Sequence, residues 1–377
     1  VYTMTGAPLL GGVVVVEETT GEILEVWSAD ENPYADVELE VYAGAIVPSF
    51  VNAHCHLELS HMLAAVPTGT GLLPFIKGVV QGRALKTQAE IEAAIAQADA
   101  EMWAAGISAV GDICNQADTF ATKAASRIAY YSFVECFDFW QKENALSEFN
   151  KYNGVFQSLQ PAAHQRKALV PHAPYSVSPS LFALINVENE IYKVSREDSR
   201  KQTISIHNQE TVAENRLFVD KKSSDFVPFF GAFGFDYADL QPDGRTAIHY
   251  AIAHLPRSER WLFVHNTLTT VADIQAAQSA NADVYWATCP NANLYIENRL
   301  PRYENFLQTD AKVCIGTDSL TSNWQLSILE EVKTILRYQS FVPQETALRW
   351  ATLGGAQALG MEEHLGSIEK GKRCGLL

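Results

Sequence analysis

Positive charge is scarce in this sequence of 377 residues: 28 Lys and Arg stand against 44 Asp and Glu, and the formal net charge is −16. Such a surface repels phosphate backbones, and no Lys/Arg cluster with interleaved aromatic residues offsets it. Hydrophobic residues make up 47% of the chain, enough for a sizeable core. We therefore expect a folded protein that acts on a small molecule and binds no nucleic-acid polymer.

Closely spaced cysteines and long apolar runs are also missing. The six cysteines are scattered and form no CxxC motif, which argues against a disulfide framework or a zinc ribbon and is typical of a reducing cytosol. The longest apolar runs, such as GAIVPSFV, are too short to span a bilayer, and no signal peptide is visible. We predict a cytoplasmic protein without membrane association. Both ends of the chain lie in strand-like sequence, so we expect the protein to continue beyond them.

Eight short apolar segments recur along the chain, and each is followed by a helix or a loop. We predict strands that end at His56, Cys114, Cys136, His172, His207, His265, Thr288 and Asp318. This alternation predicts an α/β fold, a closed parallel (β/α)₈ TIM-like barrel. An open doubly wound sheet is the alternative, but its glycine-rich first turn is absent, since neither GxGxxG nor a P-loop occurs.

Helix starts are marked by side chains that can cap them. Thr87 with Glu90 and Thr270 with Asp273 have the spacing of a capping box. Ser178 precedes a proline at the first helical position, which is typical of an N-cap. These signals predict helices that begin directly after Thr87, Ser178 and Thr270.

The ends of the chain differ in character from its middle. Residues 9–27 predict a β-hairpin, and the last stretch, LGSIEKGKRCGLL, has the same strand-like pattern. We therefore predict the barrel over 46–362 and a small β-sandwich subdomain built from 1–45 and a truncated 363–377. Residues 211–258 exceed the usual connection length, and they fit either a lid or a plain structural insertion.

Histidines cluster at the predicted strand ends. His54 and His56 are two apart on a strand, so both side chains point the same way. An HxH pair alone could arise by chance, but His207 and Asp318 also end strands, and strand ends meet at the barrel mouth. Three imidazoles and one carboxylate suit Zn²⁺, with Fe²⁺ as the alternative, and would lower the pKa of a bound water to about 7. We expect ordinary structural roles for His61, His164, His249, His254 and His364.

At this point the sequence resembles a known family. The segments GAIVPSFVNAHCHLE, VPHAPYSVS, ISIHNQETVAEN, FVHNT, CPNANLYI, IGTDSLTSN and GSIEKGKR are similar to motifs of the amidohydrolase superfamily. The nearest branch comprises metal-dependent deaminases of aminopurine nucleosides, guanine and cytosine, together with triazine chlorohydrolases. Within it, HCHLELS, TGTGLLPFIKGVVQGR and GTDSLTSN most resemble aminodeoxyfutalosine deaminases of the alternative menaquinone route.

The resemblance implies a role for each matched residue. Glu210 resembles the proton shuttle, His265 the residue that polarises or orients the attacking water, and His172 a sugar-binding residue. Asp318 counts both as a ligand and as a catalytic residue. The implied metal ligands are His54, His56, His207 and Asp318, and the matched motifs add Glu58, Asn293 and Ser322 as candidate substrate-binding residues.

A lysine is missing where binuclear members of the superfamily carry one. The fourth barrel strand ends in KALVPHAPY, and Lys167 lies at its start, the wrong end for the site. We therefore predict one divalent metal ion per chain. The other zinc deaminase fold is excluded because neither HxE nor PCxxC occurs.

The predicted function is hydrolytic deamination of an aminated purine nucleoside with a bulky 5′ substituent, such as 6-amino-6-deoxyfutalosine, in which a metal-bound hydroxide releases ammonia. Arg83 and Arg299 are candidate partners for a ligand carboxylate, and the aromatic segment 226–237 could cover the ligand. Surface charges and core aromatics are the alternative readings of these residues. The functional alternatives are a guanine or cytosine deaminase, a triazine-like chlorohydrolase or amide hydrolase, and a barrel without catalysis. A homodimer is left open.

Overall fold

The computed structural model describes residues 1–34, 38–162, 165–197 and 199–377. His164, for which we expect a structural role, lies outside these residues. The strands within them are β1 (Val13–Val16), β2 (Ile23–Trp27), β3 (Phe50–Cys55), β4 (Ile107–Cys114), β5 (Ala129–Cys136), β6 (Arg166–Pro171), β7 (Thr203–Asn208), β8 (Arg260–His265), β9 (Val284–Thr288) and β10 (Lys312–Ile315).

Helices alternate with these strands, together with short 3₁₀ turns and one π-helical turn (Trp350–Gly354). Among the described helices, none has both the length and the apolar character needed to cross a bilayer. The α-helices are α1 (Leu72–Gly82), α2 (Gln88–Ala104), α3 (Phe120–Ala125), α4 (Ala145–Ser158), α5 (Pro179–Ser195), α6 (Val212–Val219), α7 (Phe226–Gly231), α8 (Ala247–His254), α9 (Val271–Ala280), α10 (Pro290–Glu297), α11 (Tyr303–Gln308), α12 (Ile328–Tyr338), α13 (Gln344–Arg349) and α14 (Gly355–Leu359).

Strands β3 to β10 form two parallel sheets, each with its strands in chain order: β3-β4-β5-β6 and β7-β8-β9-β10. The two sheets meet at both edges. At one, the His207 N–H donates to His172 O at 2.9 Å; at the other, a parallel bridge joins Cys55 to Asp318. The predicted α/β class with parallel strands is confirmed.

Both faces of these sheets are covered. Every residue of β3, β7, β8 and β9 is buried. Strands buried on both faces favour continuous apolar sequence rather than alternation, which explains why these segments are recognisable as short apolar runs.

The strands end at or next to the predicted residues, with one exception. β10 ends at Ile315 rather than at Asp318. After Ile315 the chain leaves the ladder, because the N–H groups of Thr317 and Asp318 both donate to His54 O at 3.0 Å. The predicted strand end is therefore a turn that crosses to β3.

The predicted caps are confirmed. Thr87 accepts a hydrogen bond from the Glu90 N–H at the start of α2, and the reciprocal bond is present. Ser178 accepts from the Leu181 N–H at the start of α5. Thr270 and its partner three residues later form a second capping box at the start of α9.

The two ends of the chain associate, but with less strand than predicted. β1 and β2 form the expected antiparallel hairpin. The C-terminal segment contacts it through a hydrogen bond from the Ile23 N–H to Lys372 O at 2.9 Å, yet among the described residues 363–377 hold no strand and only the isolated bridge Pro48–Leu376. Positive φ at Gly371 and Gly375 interrupts the extended backbone there. The sandwich and the domain limits stay predictions.

The crossing from β10 to β3 depends on a glycine. A Cβ on Gly316 would lie 2.7 Å from the Cβ of His54 and 2.8 Å from its carbonyl oxygen. We expect Gly316→Ala to lower the free energy of unfolding by about 1–3 kcal/mol, because buried backbone has to move. Denaturant unfolding of the metal-free protein measures this change.

Gly154 provides the matched control, since it is exposed in α4 and an added Cβ would meet nothing within 4 Å. Gly154→Ala should raise stability by about 0.5–1 kcal/mol through the helix propensity of alanine. Equal effects of the two substitutions would show that the approach of Gly316 to His54 is not a constraint.

Candidate active site

Four predicted ligand side chains converge where the two sheets meet. His54 and His56 come from the end of β3, His207 from the end of β7, and Asp318 from the turn after β10. His54 Nε2 and His56 Nε2 lie 3.6 and 3.5 Å from Asp318 Oδ1. His56 Nε2 lies 3.2 Å from His207 Nε2. These distances link the three imidazoles and the carboxylate into one cluster.

The unused atoms of this cluster fit a divalent metal. Both ring nitrogens of His54 are buried and lack a hydrogen-bond partner. His207 donates its Nδ1–H to His172 O at 2.9 Å, which leaves Nε2 as the lone-pair nitrogen. Ser322 Oγ donates to Asp318 Oδ2 at 2.6 Å, which leaves Oδ1. Such donor groups match the ligand chemistry of Zn²⁺.

Burial sets the charge state of the cluster. It lowers the pKa of His56 to about 3 and also lowers the pKa of His54 and His207, so the imidazoles are neutral and can act as ligands. Burial alone would raise the pKa of Asp318, but the imidazoles of His54, His56 and His265 around the carboxylate outweigh burial and lower that pKa. The site therefore combines neutral nitrogen donors with an ionised carboxylate.

Backbone strain accompanies the cluster. His265 and Asp318 have φ angles of 69° and 58°, and Gln209, next to Glu210, has a φ of 48°. Left-handed φ is uncommon for residues other than glycine and concentrates at functional sites. These three left-handed residues lie at or beside the side chains of the site.

Glu210 and His265 form a second pair beside the cluster. Glu210 Oε1 lies 3.8 Å from His265 Nε2. Burial raises the pKa of Glu210 to about 7, so its carboxyl group can take up and release a proton near neutral pH. The Glu210 N–H donates to Glu214 Oε2 at 2.9 Å, which fixes the backbone of the turn.

A cavity of about 940 Å³, including its open mouth, leads to this pair and to the histidine cluster. Its larger part is apolar. We call this part the apolar lobe, and it is lined by Leu72, Phe75, Ile76 and Val79 of α1 with Phe137, Phe139 and Phe230.

The insertion 211–258 contributes to the apolar lobe through Phe230 alone. Phe226 and Tyr237, from the same aromatic segment, are instead buried in a satellite core with Trp140 and Tyr175. Of the predicted aromatic cover, Phe230 therefore lines the cavity, Phe226 and Tyr237 are core, and Phe233 is exposed.

The cavity also has a polar wall, formed by Glu58, Arg83, Asn115 and Glu135. Arg83 Nη2 lies 2.9 Å from Glu58 Oε1 and also donates to Asn115 Oδ1 at 2.9 Å. The Asn115 N–H donates to Glu58 Oε2 at 3.0 Å. Glu58 and Arg83 thus face the cavity as an ion pair.

Two residues of the polar wall, Asn115 and Glu135, were not predicted from the sequence, and Glu135 is the one left unpaired. It is 3% exposed, and its Oε1 is buried without a hydrogen-bond partner. Its signal in the sequence is weak: a single acidic residue in the apolar run RIAYYSFVEC, one position before the predicted strand end.

The other predicted substrate-binding residues lie in different places. His172 lines the cavity, with its Nδ1 2.6 Å from Ser176 Oγ. Asn293 Oδ1 accepts from His265 Nδ1 at 3.0 Å, and Ser322 contacts Asp318, so both hold other site residues. Arg299 is exposed and is not among the residues that line the cavity.

Two relatives found by comparison with known proteins are deaminases of adenosine and of its derivatives. The chain is similar to an adenosine deaminase of Helicobacter pylori, at 26% identity over 342 residues that span 88% of this chain and 78% of that protein. It is also similar to a 5-methylthioadenosine/S-adenosylhomocysteine deaminase of Bacillus cereus, at 26% identity over 384 residues, 96% of this chain and 79% of that protein.

Among solved structures, the Helicobacter pylori aminofutalosine deaminase in complex with methylthio-coformycin aligns with a TM-score of 0.77 at 23% identity, and covers 96% of this chain and 86% of that one. The two proteins therefore share a fold. The sequence model of the Amidohydrolase family matches residues 45–376, so this chain belongs to the amidohydrolase family.

Proposed function

We propose that this chain is a hydrolytic deaminase of adenosine-type nucleosides that uses one divalent metal ion. The observation that carries the proposal is the convergence of three imidazole nitrogens and Asp318 Oδ1 beside Glu210, a buried carboxyl group with a pKa of about 7. The names of the relatives, which are deaminases of adenosine and of its 5′-substituted derivatives, support the substrate class.

His54, His56, His207 and Asp318 would hold the ion, Zn²⁺ by preference and Fe²⁺ as the alternative. When bound, the ion would supply a water that is activated for attack at neutral pH. A single ion is favoured because no lysine stands at the end of β6, where binuclear members of the superfamily carry one. That strand ends at Pro171, and Lys167 lies at its other end, where its ammonium group donates a hydrogen bond to Leu159 O at 2.8 Å.

Glu210 would move the protons of the reaction. Water adds to the amidine carbon that carries the amino group, Glu210 takes a proton from the water, and the ring nitrogen receives one. The hydroxyl group on that carbon then gives its proton to Glu210, which passes a proton to the amino group. The carbon–nitrogen bond breaks, ammonia leaves, and a carbonyl group remains. A carboxyl group with a pKa near neutral can act as base and as acid in these successive steps.

His265 would orient the attacking water and stabilise developing charge. Its Nδ1–H is held by Asn293 Oδ1, so Nε2 faces Glu210 and the reacting centre. Asn293 would thereby act through His265 as a positioning residue, and Ser322 would act in the same way through Asp318.

The two parallel sheets would close into one (β/α)₈ barrel over 46–362, with the small β subdomain built from 1–45 and 363–377. Hydrogen bonds at both sheet edges support this closure. The site would then lie at the carboxyl ends of the strands, the usual place for chemistry in such a barrel.

The substrate would carry a bulky apolar group on its 5′ carbon, as an aminodeoxyfutalosine-like nucleoside does. The apolar lobe supports this proposal because it offers aliphatic and aromatic contacts for such a group in the same cavity as the histidine cluster. Arg83 could meet a ligand carboxylate only beside its existing partner Glu58.

Removal of the proton-carrying group of Glu210 should greatly slow turnover without loss of the metal ion. We expect Glu210→Gln to reduce kcat by roughly 10²- to 10⁴-fold, because the amide keeps the size of the side chain and loses only its ability to carry a proton. Ammonia release from the metal-loaded variant measures this. Glu190→Gln, at an exposed position of α5, is the control, and near-normal turnover of Glu210→Gln would refute the role.

Metal content tests the ligand set. Purified protein loaded with zinc should retain about one equivalent per chain, and His207→Ala should lose it. His249→Ala removes a partly exposed histidine that lies 3.8 Å from Asp273 and outside the cavity lining, and should keep the ion. Two equivalents in the wild type would contradict a single-metal site.

A substrate panel tests the nucleoside class. We expect methylthioadenosine, adenosylhomocysteine and aminodeoxyfutalosine to exceed adenosine in kcat/KM by roughly tenfold or more, because the 5′ group contributes binding energy in the transition state. Phe75→Ala in the apolar lobe should reduce this ratio, whereas Lys77→Ala on the exposed face of α1 should not. Equal efficiency on all nucleosides would refute the 5′ preference, and activity on guanine or cytosine alone would refute the nucleoside class.

A further inference from the structure

We propose that the carboxyl group of Glu135 accepts a hydrogen bond from a sugar hydroxyl of the substrate and so makes the enzyme selective for ribonucleosides over deoxyribonucleosides. The inference rests on the proposed nucleoside function and adds a specificity residue to it. Its basis is a buried carboxyl oxygen without a hydrogen-bond partner, on a residue that lines the cavity.

The position of Glu135 fits this role. It lies one residue before the end of β5 and pairs with Val170 near the end of β6. The cavity-lining His172 directly follows β6. A ring nitrogen of His172, a ring nitrogen of His207 and a Glu135 carboxylate oxygen all lie within 4.8 Å of one another. One hydroxyl oxygen at ordinary hydrogen-bond lengths from both His172 and Glu135 can bridge a gap of that size.

The protein itself does not satisfy Glu135. His207 Nδ1 lies 3.4 Å from Glu135 Oε1, but its hydrogen goes to His172 O at the shorter distance of 2.9 Å. Glu135 Oε1 is therefore left as an acceptor, and a buried acceptor without a donor is unfavourable unless a ligand or water completes it.

The rest of the polar wall is already paired. Glu58 uses Oε1 for Arg83 and Oε2 for the Asn115 N–H, and Arg83 Nη2 is shared between Glu58 and Asn115. Among the buried side-chain atoms of this wall, Glu135 Oε1 is thus the one without a hydrogen-bond partner, and a ligand hydroxyl group can complete it.

The test compares adenosine with 2′-deoxyadenosine and 3′-deoxyadenosine in wild type, Glu135→Leu and Glu135→Gln. We expect the wild type to favour adenosine over one of the deoxynucleosides by roughly 10- to 100-fold in kcat/KM, since a site built for a hydroxyl rejects the analogue that lacks it. In Glu135→Leu this ratio should fall to about one. Glu135→Gln keeps an acceptor oxygen and should retain part of the ratio, and it replaces the leucine variant if that variant does not fold.

Asp138→Asn is the matched control. Asp138 is a buried carboxylate two residues beyond β5, but its oxygens are occupied by Ser178 and the Trp140 N–H, and it is not among the cavity-lining residues. The ratio between adenosine and the deoxynucleosides should be the same in this variant as in the wild type.

Three outcomes would overturn the inference. An unchanged ratio in Glu135→Leu with full metal content would leave Glu135 as a packing residue. Metal loss in the Glu135 variants would make it a ligand or a support for His207. A wild type that deaminates no nucleoside would refute the proposed function as well, whereas a nucleoside deaminase with unchanged selectivity would refute this inference alone.

Discussion

The structure depends above all on the close backbone contact between the turn after β10 and β3. The N–H groups of Thr317 and Asp318 share His54 O, and Asn52 on β3 bonds Thr317 through both its side-chain atoms, at 2.8 and 3.1 Å. This contact joins the last strand to the first and places Asp318 against His54 and His56. Because the packing is backbone on backbone, it tolerates no side chain at Gly316.

The buried carboxyl group of Glu331 stabilises this contact through hydrogen bonds. Glu331 on α12 accepts hydrogen bonds from Asn323 Nδ2 at 2.7 Å and from the Asn291 N–H at 2.9 Å, and Asn323 also donates to Thr317 O at 2.8 Å. Burial raises the pKa of Glu331 to about 8. The turn that carries Asp318 is thereby tied to two helices, α10 and α12.

The same low-polarity surroundings give similar residues different properties. Asp318 is surrounded by histidines and stays ionised, whereas Glu210 has mainly burial acting on it and a pKa of about 7. Separation of two carboxyl groups in this way is how an active site obtains both a fixed charge and a proton carrier. The cavity extends the contrast, because it combines the apolar lobe with a polar wall in which Glu58 and Arg83 form an ion pair.

Much of the fold could be predicted because its signals are local. Strands buried on both faces leave apolar runs, capping residues such as Thr87 and Thr270 mark helix starts, and the family was recognisable from motifs that lie at strand ends. The expected strand near the C-terminus is absent because glycines with left-handed φ angles interrupt the extended backbone there. The sequence shows these glycines but not the backbone conformation that they adopt.

The sequence by itself determined the family, the parallel α/β class and the ends of seven of the eight predicted strands, since these follow from periodicity and motif. The tertiary structure alone decided which polar groups meet. It turned Asn293 towards His265 and Ser322 towards Asp318, paired Arg83 with Glu58, left Arg299 outside the cavity, and brought Glu135 into it. The physical reason is that hydrogen-bond and ion-pair partners come from strands and helices far apart in the chain, so a partner is fixed only when those elements pack.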